Sequence, residues 1–169
     1  MTEYSKEVIN DLVNGTLPWP QTRRIMSAYK DDDRFFKYLQ VMQDRVSWSD
    51  PILLPVADHL FICDSAEGRI TRCECGKSFG DYRKNWKLEA VINVRNTEES
   101  LREIYPNSDI TDPEWMEIRE FFCPDCAHLH EVEAAAPGYP IVYDFQPDLE
   151  GFYREWLGKP LGKPLKVIA

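Results

Sequence analysis

Cys73-Glu74-Cys75-Gly76 and Cys123-Pro124-Asp125-Cys126 are the two stretches that decide how this chain folds. They stand 47 residues apart, distant in sequence but able to meet in space. Two short chelating pairs of thiolates are what tetrahedral Zn²⁺ requires, because sulfur ligands sit at about 2.3 Å and must converge on one point. In the second stretch, proline and the short spacer bend the backbone into a knuckle that turns both sulfurs to one side. The first pair has a spacer of one residue, and Gly76 relieves the chain where it turns beside the metal. A closed site of Cys73, Cys75, Cys123 and Cys126 has no position for substrate, so its expected work is structural.

Working outward, short apolar runs at 52–56 and 60–63 read as strands. Residues 64–68 read as a turn and 69–73 as the returning strand that delivers the first pair. Residues 86–94 alternate as a strand, with Trp86, Leu88, Ile92 and Val94 on one face and Val91 on the other. A short helix is expected over 97–105 and a loop over 106–113. A strand over 115–122 runs into the second knuckle, and another leaves it over 128–132. Ligands at hairpin tips make a zinc-ribbon-like, mostly antiparallel β centre in an α+β chain.

Before that centre the period is helical. Residues 2–14 carry Tyr4, Val8, Ile9, Leu12 and Val13 on one stripe, with Thr2 as cap and Asn14-Gly15 as stop. Thr16 to Pro20 is expected to be extended, since each proline disfavours helix in the residue before it. Helical spacing resumes at Ile25, Met26 and Tyr29, and again through Phe35, Leu39, Met42 and Val46. Asp31-Asp32-Asp33 suits a helix N-terminus and lacks the loop ligands and glycine of a calcium loop. After the centre, residues 134–138 form a turn or linker, 141–145 a short apolar run and 149–157 a helix. Gly158-Lys159-Pro160-Leu161 then recurs as Gly162-Lys163-Pro164-Leu165, an extended arm that orders when a partner receives it. The expected division is a helical arm over 1–50, a ribbon-like β domain over 51–136, and a C-terminal segment with a partner-wrapping tail over 137–169.

Composition sets outer bounds. Five Trp, eight Tyr and eight Phe in 169 residues exceed what so small a core hides, so some rings should meet another protein. A net charge of −9 argues against nucleic acid and against an anionic membrane surface. No apolar run approaches a membrane span, the first residues are polar, and five paired-spacing cysteines suit a reducing cytoplasm. Cys63, in an apolar strand, reads as a packed thiol, and His59 has no visible partner. A Cys-x-His step leaves open that His128 or His130 replaces one cysteine ligand. Gly76-Lys77-Ser78 is no phosphate loop, because Thr71 stands where that loop needs glycine. No catalytic or cofactor-binding residue is identified.

In its length, in Thr16-Leu17-Pro18-Trp19-Pro20, in both knuckles and in Phe152-Tyr153-Arg154-Glu155-Trp156-Leu157, the chain resembles the small, gamma-type subunits of acetone carboxylase and their relatives in acetophenone carboxylase. The resemblance implies a hetero-oligomer of three kinds of chain that joins acetone and bicarbonate into acetoacetate, driven by ATP and without biotin. It implies two larger, hydantoinase-related partner chains holding ATP with Mg and a Mn centre, and a small zinc-binding chain. Only Cys73, Cys75, Cys123 and Cys126 are carried over. Such a chain either clamps the large subunits or covers the route between their sites, so that labile intermediates escape hydrolysis. Two competing readings are a free-standing zinc-ribbon module for protein or nucleic acid, and a small zinc hydrolase using His128 and His130. The nucleic-acid version asks for a basic face, yet Arg72, Lys77, Arg83, Lys84 and Lys87 are interspersed with Glu74, Asp81 and Glu89.

Overall fold

A computed structural model describes residues 4–28 and 31–162. Thr2, Tyr29 and residues 163–165 of the tandem repeat therefore lie outside the described residues. Helix α1 (Lys6–Val13) begins one turn later than expected, because Ser5 is its cap and accepts from the Val8 N–H at 3.4 Å. Helix α2 (Trp19–Ser27) corrects the extended reading of residues 16–20 at its end: the helix starts at Trp19 with Pro20 in the first turn. Proline is tolerated there because its missing N–H has no helical partner to lose. The aspartates precede helix α3 (Arg34–Gln43), where Asp31 receives Arg34 Nε at 2.8 Å and Asp33 pairs with Lys37 at 2.8 Å.

Two antiparallel sheets follow. The first has the order β1-β2-β3-β4: β1 (Ile52–Ala57), β2 (Leu60–Ser65), β3 (Gly68–Cys73) and β4 (Ser78–Asp81). The β2–β3 hairpin runs in unbroken register from Ser65 opposite Gly68 to Leu60 opposite Cys73, which puts the first knuckle at its open end. The second sheet has the order β5-β6-β7: β5 (Val91–Arg95), β6 (Glu117–Phe122) and β7 (Leu129–Ala135). Helix α4 (Glu98–Ile104), capped by Thr97, sits in the β5–β6 connection. Residues 86–94 are not one strand. Asn85 caps a 3₁₀ turn over Trp86–Glu89, which buries Trp86 and Lys87 and leaves Leu88 exposed, and pairing starts only at Val91. The apparent alternation there mimicked a strand.

The core is made of separate apolar clusters between these parts. Ile9, Leu39, Val41 and Met42 of the helices pack with Ile52 and Phe61 of the first sheet. Leu60, Cys73, Phe79, Trp86, Phe121 and Cys123 form the apolar cluster joining the two sheets beside the knuckles. After β7 the chain crosses without regular structure, held by Arg119 Nη2 to the Tyr139 carbonyl at 2.7 Å and Asn85 Nδ2 to the Ile141 carbonyl at 3.2 Å. Helix α5 (Leu149–Gly151) widens into a π-helical turn over Phe152–Trp156, so the expected C-terminal helix is present. Its Phe152 meets Phe35 edge-on at 5.3 Å. The start of the arm is anchored by Arg69 Nη2, which donates to the Gly162 carbonyl at 2.6 Å.

Tyr153 ties this C-terminal turn to the first sheet, its buried hydroxyl donating to the Leu53 carbonyl at 2.8 Å. Burial pushes the phenol up to about 12, so the donor proton stays in place across the physiological range. Tyr153→Phe keeps the ring and removes the donor. It is expected to lower stability by about 1–3 kcal/mol, the cost of leaving a buried carbonyl unpaired. Urea unfolding of both chains measures this, and an unchanged midpoint would show that water satisfies Leu53 instead.

Candidate metal centre

Each knuckle is built in the same way. In the first, the Cys73 N–H donates to the Lys77 carbonyl at 2.9 Å and the Gly76 N–H donates back to the Cys73 carbonyl at 2.9 Å. In the second, the Cys123 N–H donates to the His128 carbonyl at 2.8 Å and the Ala127 N–H to the Cys123 carbonyl at 2.9 Å. Both loops need one residue with left-handed backbone, Gly76 at φ +103° and Ala127 at φ +57°. Glycine adopts that conformation freely, whereas alanine does so at a cost of about 1–2 kcal/mol. Trp48 braces the first knuckle, donating its indole N–H to the Glu74 carbonyl at 3.0 Å with the Arg72 guanidinium stacked 5.2 Å from its ring centre.

The four sulfurs converge. Cys73 Sγ lies 3.7 Å from Cys126 Sγ, and Cys75 Sγ lies 3.7 Å from Cys123 Sγ. All four sulfurs fall within 4.8 Å of one another. Sulfurs bonded at about 2.3 Å to one tetrahedral ion stand about 3.8 Å apart, so the spacing fits a metal. It does not fit disulfides, whose sulfurs approach to about 2.05 Å, and all five cysteines are free. Cys73 and Cys123 are buried while Cys75 and Cys126 are exposed, so the centre is anchored in the core and open at its rim. Burial pushes the Cys73 thiol up, and Cys75 likewise. At Cys126 burial also opposes ionisation, but the His128 N–H and the neighbouring thiols outweigh it and lower the value. Packing four thiolates this closely in a partly dry site requires a cation among them. The residues fit a bound divalent metal.

The other cysteine and the histidines are placed elsewhere. Cys63 is the packed thiol expected of it: buried, aimed at the Ile70 carbonyl at 3.8 Å, its pKa pushed up by burial to about 12. Neither His128 nor His130 joins the four sulfurs. His130 is buried among Phe79 and Trp86, with Nδ1 2.8 Å from the Asp58 carbonyl, and burial lowers its pKa. His59, which had no partner in the sequence, has two in space. Its Nδ1 meets the Glu74 carboxylate, and its ring centre lies 3.8 Å from that of His128. A pocket of about 380 Å³ opens between these histidines and the exposed cysteines, also lined by Glu74 and Arg45. Among the described residues, no helix is long and apolar enough to cross a membrane.

Comparison with known proteins agrees with this anatomy. The family model for the acetone carboxylase gamma subunit matches residues 46–157, which span both sheets, both knuckles and the C-terminal turn. The acetone carboxylase gamma subunit of Xanthobacter autotrophicus is 44% identical over 160 residues, 94% of this chain and 95% of that protein. The acetophenone carboxylase beta subunit of Aromatoleum aromaticum is 25% identical over 111 residues, 64% of this chain and 79% of that protein. The chain belongs to the acetone carboxylase gamma-subunit family.

Proposed function

We propose that this chain is the small zinc-binding subunit of an ATP-dependent, hetero-oligomeric carboxylase that converts acetone and bicarbonate to acetoacetate, and that it stabilises the assembly. The observation that carries the reading is the 44% identity to an acetone carboxylase gamma subunit along 94% of the chain. In this reading Cys73, Cys75, Cys123 and Cys126 hold Zn²⁺, which supplies a covalent-strength cross-link between two hairpins and no reaction step. The nucleotide and manganese chemistry belongs to two larger, hydantoinase-related partner chains in the same cytoplasmic complex. The surface supports an assembly role: Trp115 and Trp156 are 78% and 82% exposed, and Trp19 and Met26 also face outward. Large apolar side chains of this kind are what protein interfaces cover. A nucleic-acid module is less well supported, because Arg72, Lys77, Arg83 and Lys87 each already face a carboxylate.

The test is to tag the chain in the organism that encodes it, grown on a simple ketone, and purify it gently with metal analysis of the same fractions. Two larger proteins in fixed ratio, with one zinc per small chain, are expected. The chain eluting alone, with or without zinc, would overturn the carboxylase reading.

A further inference from the structure

We propose that Asp58, His59 and His128 form a second divalent-metal site, separate from the four-cysteine centre and open to solvent. The three residues come from two places that only the folded chain joins. Asp58 and His59 make the two-residue turn between β1 and β2, with His59 at φ +54°, and His128 leads into β7. His59 Nε2 lies 3.5 Å from Asp58 Oδ1, and His128 Nε2 lies 3.9 Å from Asp58 Oδ2. One donor atom from each of the three falls within 4.8 Å of the others. Donors bound to a common ion at about 2.0–2.2 Å stand roughly 3–3.5 Å apart, so side-chain rotations of about an ångström or less close the set.

Two further features favour a metal over a chance cluster of polar groups. His59 Nδ1 meets the Glu74 carboxylate, which orients the ring and leaves Nε2 on the side of Asp58. Metal-binding histidines are oriented by a carboxylate on the far nitrogen in this way. Glu74 is itself rigidly held, its N–H donating to the His59 carbonyl at 2.9 Å and its carbonyl accepting from Trp48. The turn that carries Asp58 is pinned as well, since its carbonyl faces His130 Nδ1 at 2.8 Å. The site also borders the pocket of about 380 Å³ that reaches the exposed cysteines, so an ion there keeps free positions for water or a small ligand. Two imidazoles and one carboxylate with open positions suit first-row divalent ions, whereas the thiolate set takes zinc first. Glu74, between Cys73 and Cys75, links the two centres in sequence.

The inference does not depend on the carboxylase reading, and the test separates it from the zinc reading. The full chain is loaded with one equivalent of zinc and titrated with Co²⁺ by calorimetry and visible absorption. A second equivalent is expected, with the weak bands of nitrogen and oxygen ligation and none of the intense thiolate charge transfer. His59→Ala and His128→Ala should lose the second equivalent and keep the zinc, and Glu74→Gln should weaken cobalt binding by about 10–100-fold. A zinc-loaded chain that takes up no cobalt overturns the site, as does unchanged binding in both histidine variants. Loss of zinc together with cobalt in either variant also overturns it, because the two centres would then be one. Failure to retain the first zinc would count against the four-cysteine reading instead.

Discussion

Cys123→Ser is expected to strip the chain of zinc and to abolish its cooperative unfolding transition at physiological temperature. Cys123 is buried at the end of β6, and its backbone closes the second knuckle through His128 and Ala127. Structural zinc contributes apparent binding free energies of about 10–16 kcal/mol in small zinc-finger peptides. Whole domains of ordinary size are stable by only about 5–15 kcal/mol, so even half of that contribution decides whether the two sheets stay together. The apolar cluster around Leu60, Phe79, Trp86 and Phe121 meets at the same spot, so losing the metal frees the core that the cysteines close. A serine hydroxyl is a poor zinc ligand at neutral pH, and burial still holds the Cys73 and Cys75 thiols against ionisation. Metal content and a thermal melt of the purified variant test this. Chelator treatment of the natural chain should reproduce the loss, and added zinc should reverse it. Cys63→Ser serves as the control, since Cys63 lies in β2 away from the sulfur cluster and should keep its metal. Full zinc and an unaltered melt in Cys123→Ser would sink the four-cysteine centre.

How much of this was legible from residues alone depends on whether the signal was local. The cysteine pairs could be read because a chelate needs close spacing, and the hairpins feeding them because alternation and turn residues are local signals. The helices announced themselves by stripes, and the C-terminal turn by Phe152 and Trp156 four apart. Alternation misled at Trp86 and Leu88, where an Asn85 cap and the burial of Lys87 impose a 3₁₀ turn. Strand β4 has one large apolar residue, Phe79, and left no pattern to find. His59 could not be assigned at all. Its partners Glu74 and His128 stand 15 and 69 positions away, and a two-residue turn has no periodicity that points toward either. Lys87 was counted with the basic residues around the knuckles, although the fold buries it completely.

That lysine carries the second large effect. Lys87 is 0% exposed, and its Nζ lies 2.5 Å from Glu131, 3.1 Å from Asp144 and 3.2 Å from Glu133, with the Phe121 ring centre at 5.2 Å. Burial alone would lower its pKa, but the hydrogen bonds it donates to Glu131, Asp144 and Glu133 overcome that and raise it, so the ammonium is charged at neutral pH. Lys87→Met keeps the volume and leaves three carboxylates facing one another, with Arg119 still paired to Glu133. Removing one partner of a buried ion pair costs about 3–5 kcal/mol. For a chain of this size that corresponds to a melting point lower by about 6–20 °C at pH 7. The pH dependence has a definite sign. Because the folded pKa of Lys87 is raised, its contribution is fully present below the ordinary lysine value of 10.5 and is lost as pH rises through the folded value, so the deficit of the variant should shrink in strong alkali. Burial also raises the Glu131 carboxyl above its ordinary 4.5 even beside the lysine, and removing the ammonium raises it further. A raised carboxyl stabilises the fold below its ordinary value and ceases to do so as pH rises through the folded value. The variant should therefore recover part of its deficit as the solution is acidified toward that value. The difference between the two chains is thus greatest near neutrality and smaller on both sides. A deficit that stays flat across pH, or a methionine variant as stable as the natural chain at pH 7, would mean that the three carboxylates reach water once the lysine is gone and that the cluster contributes little.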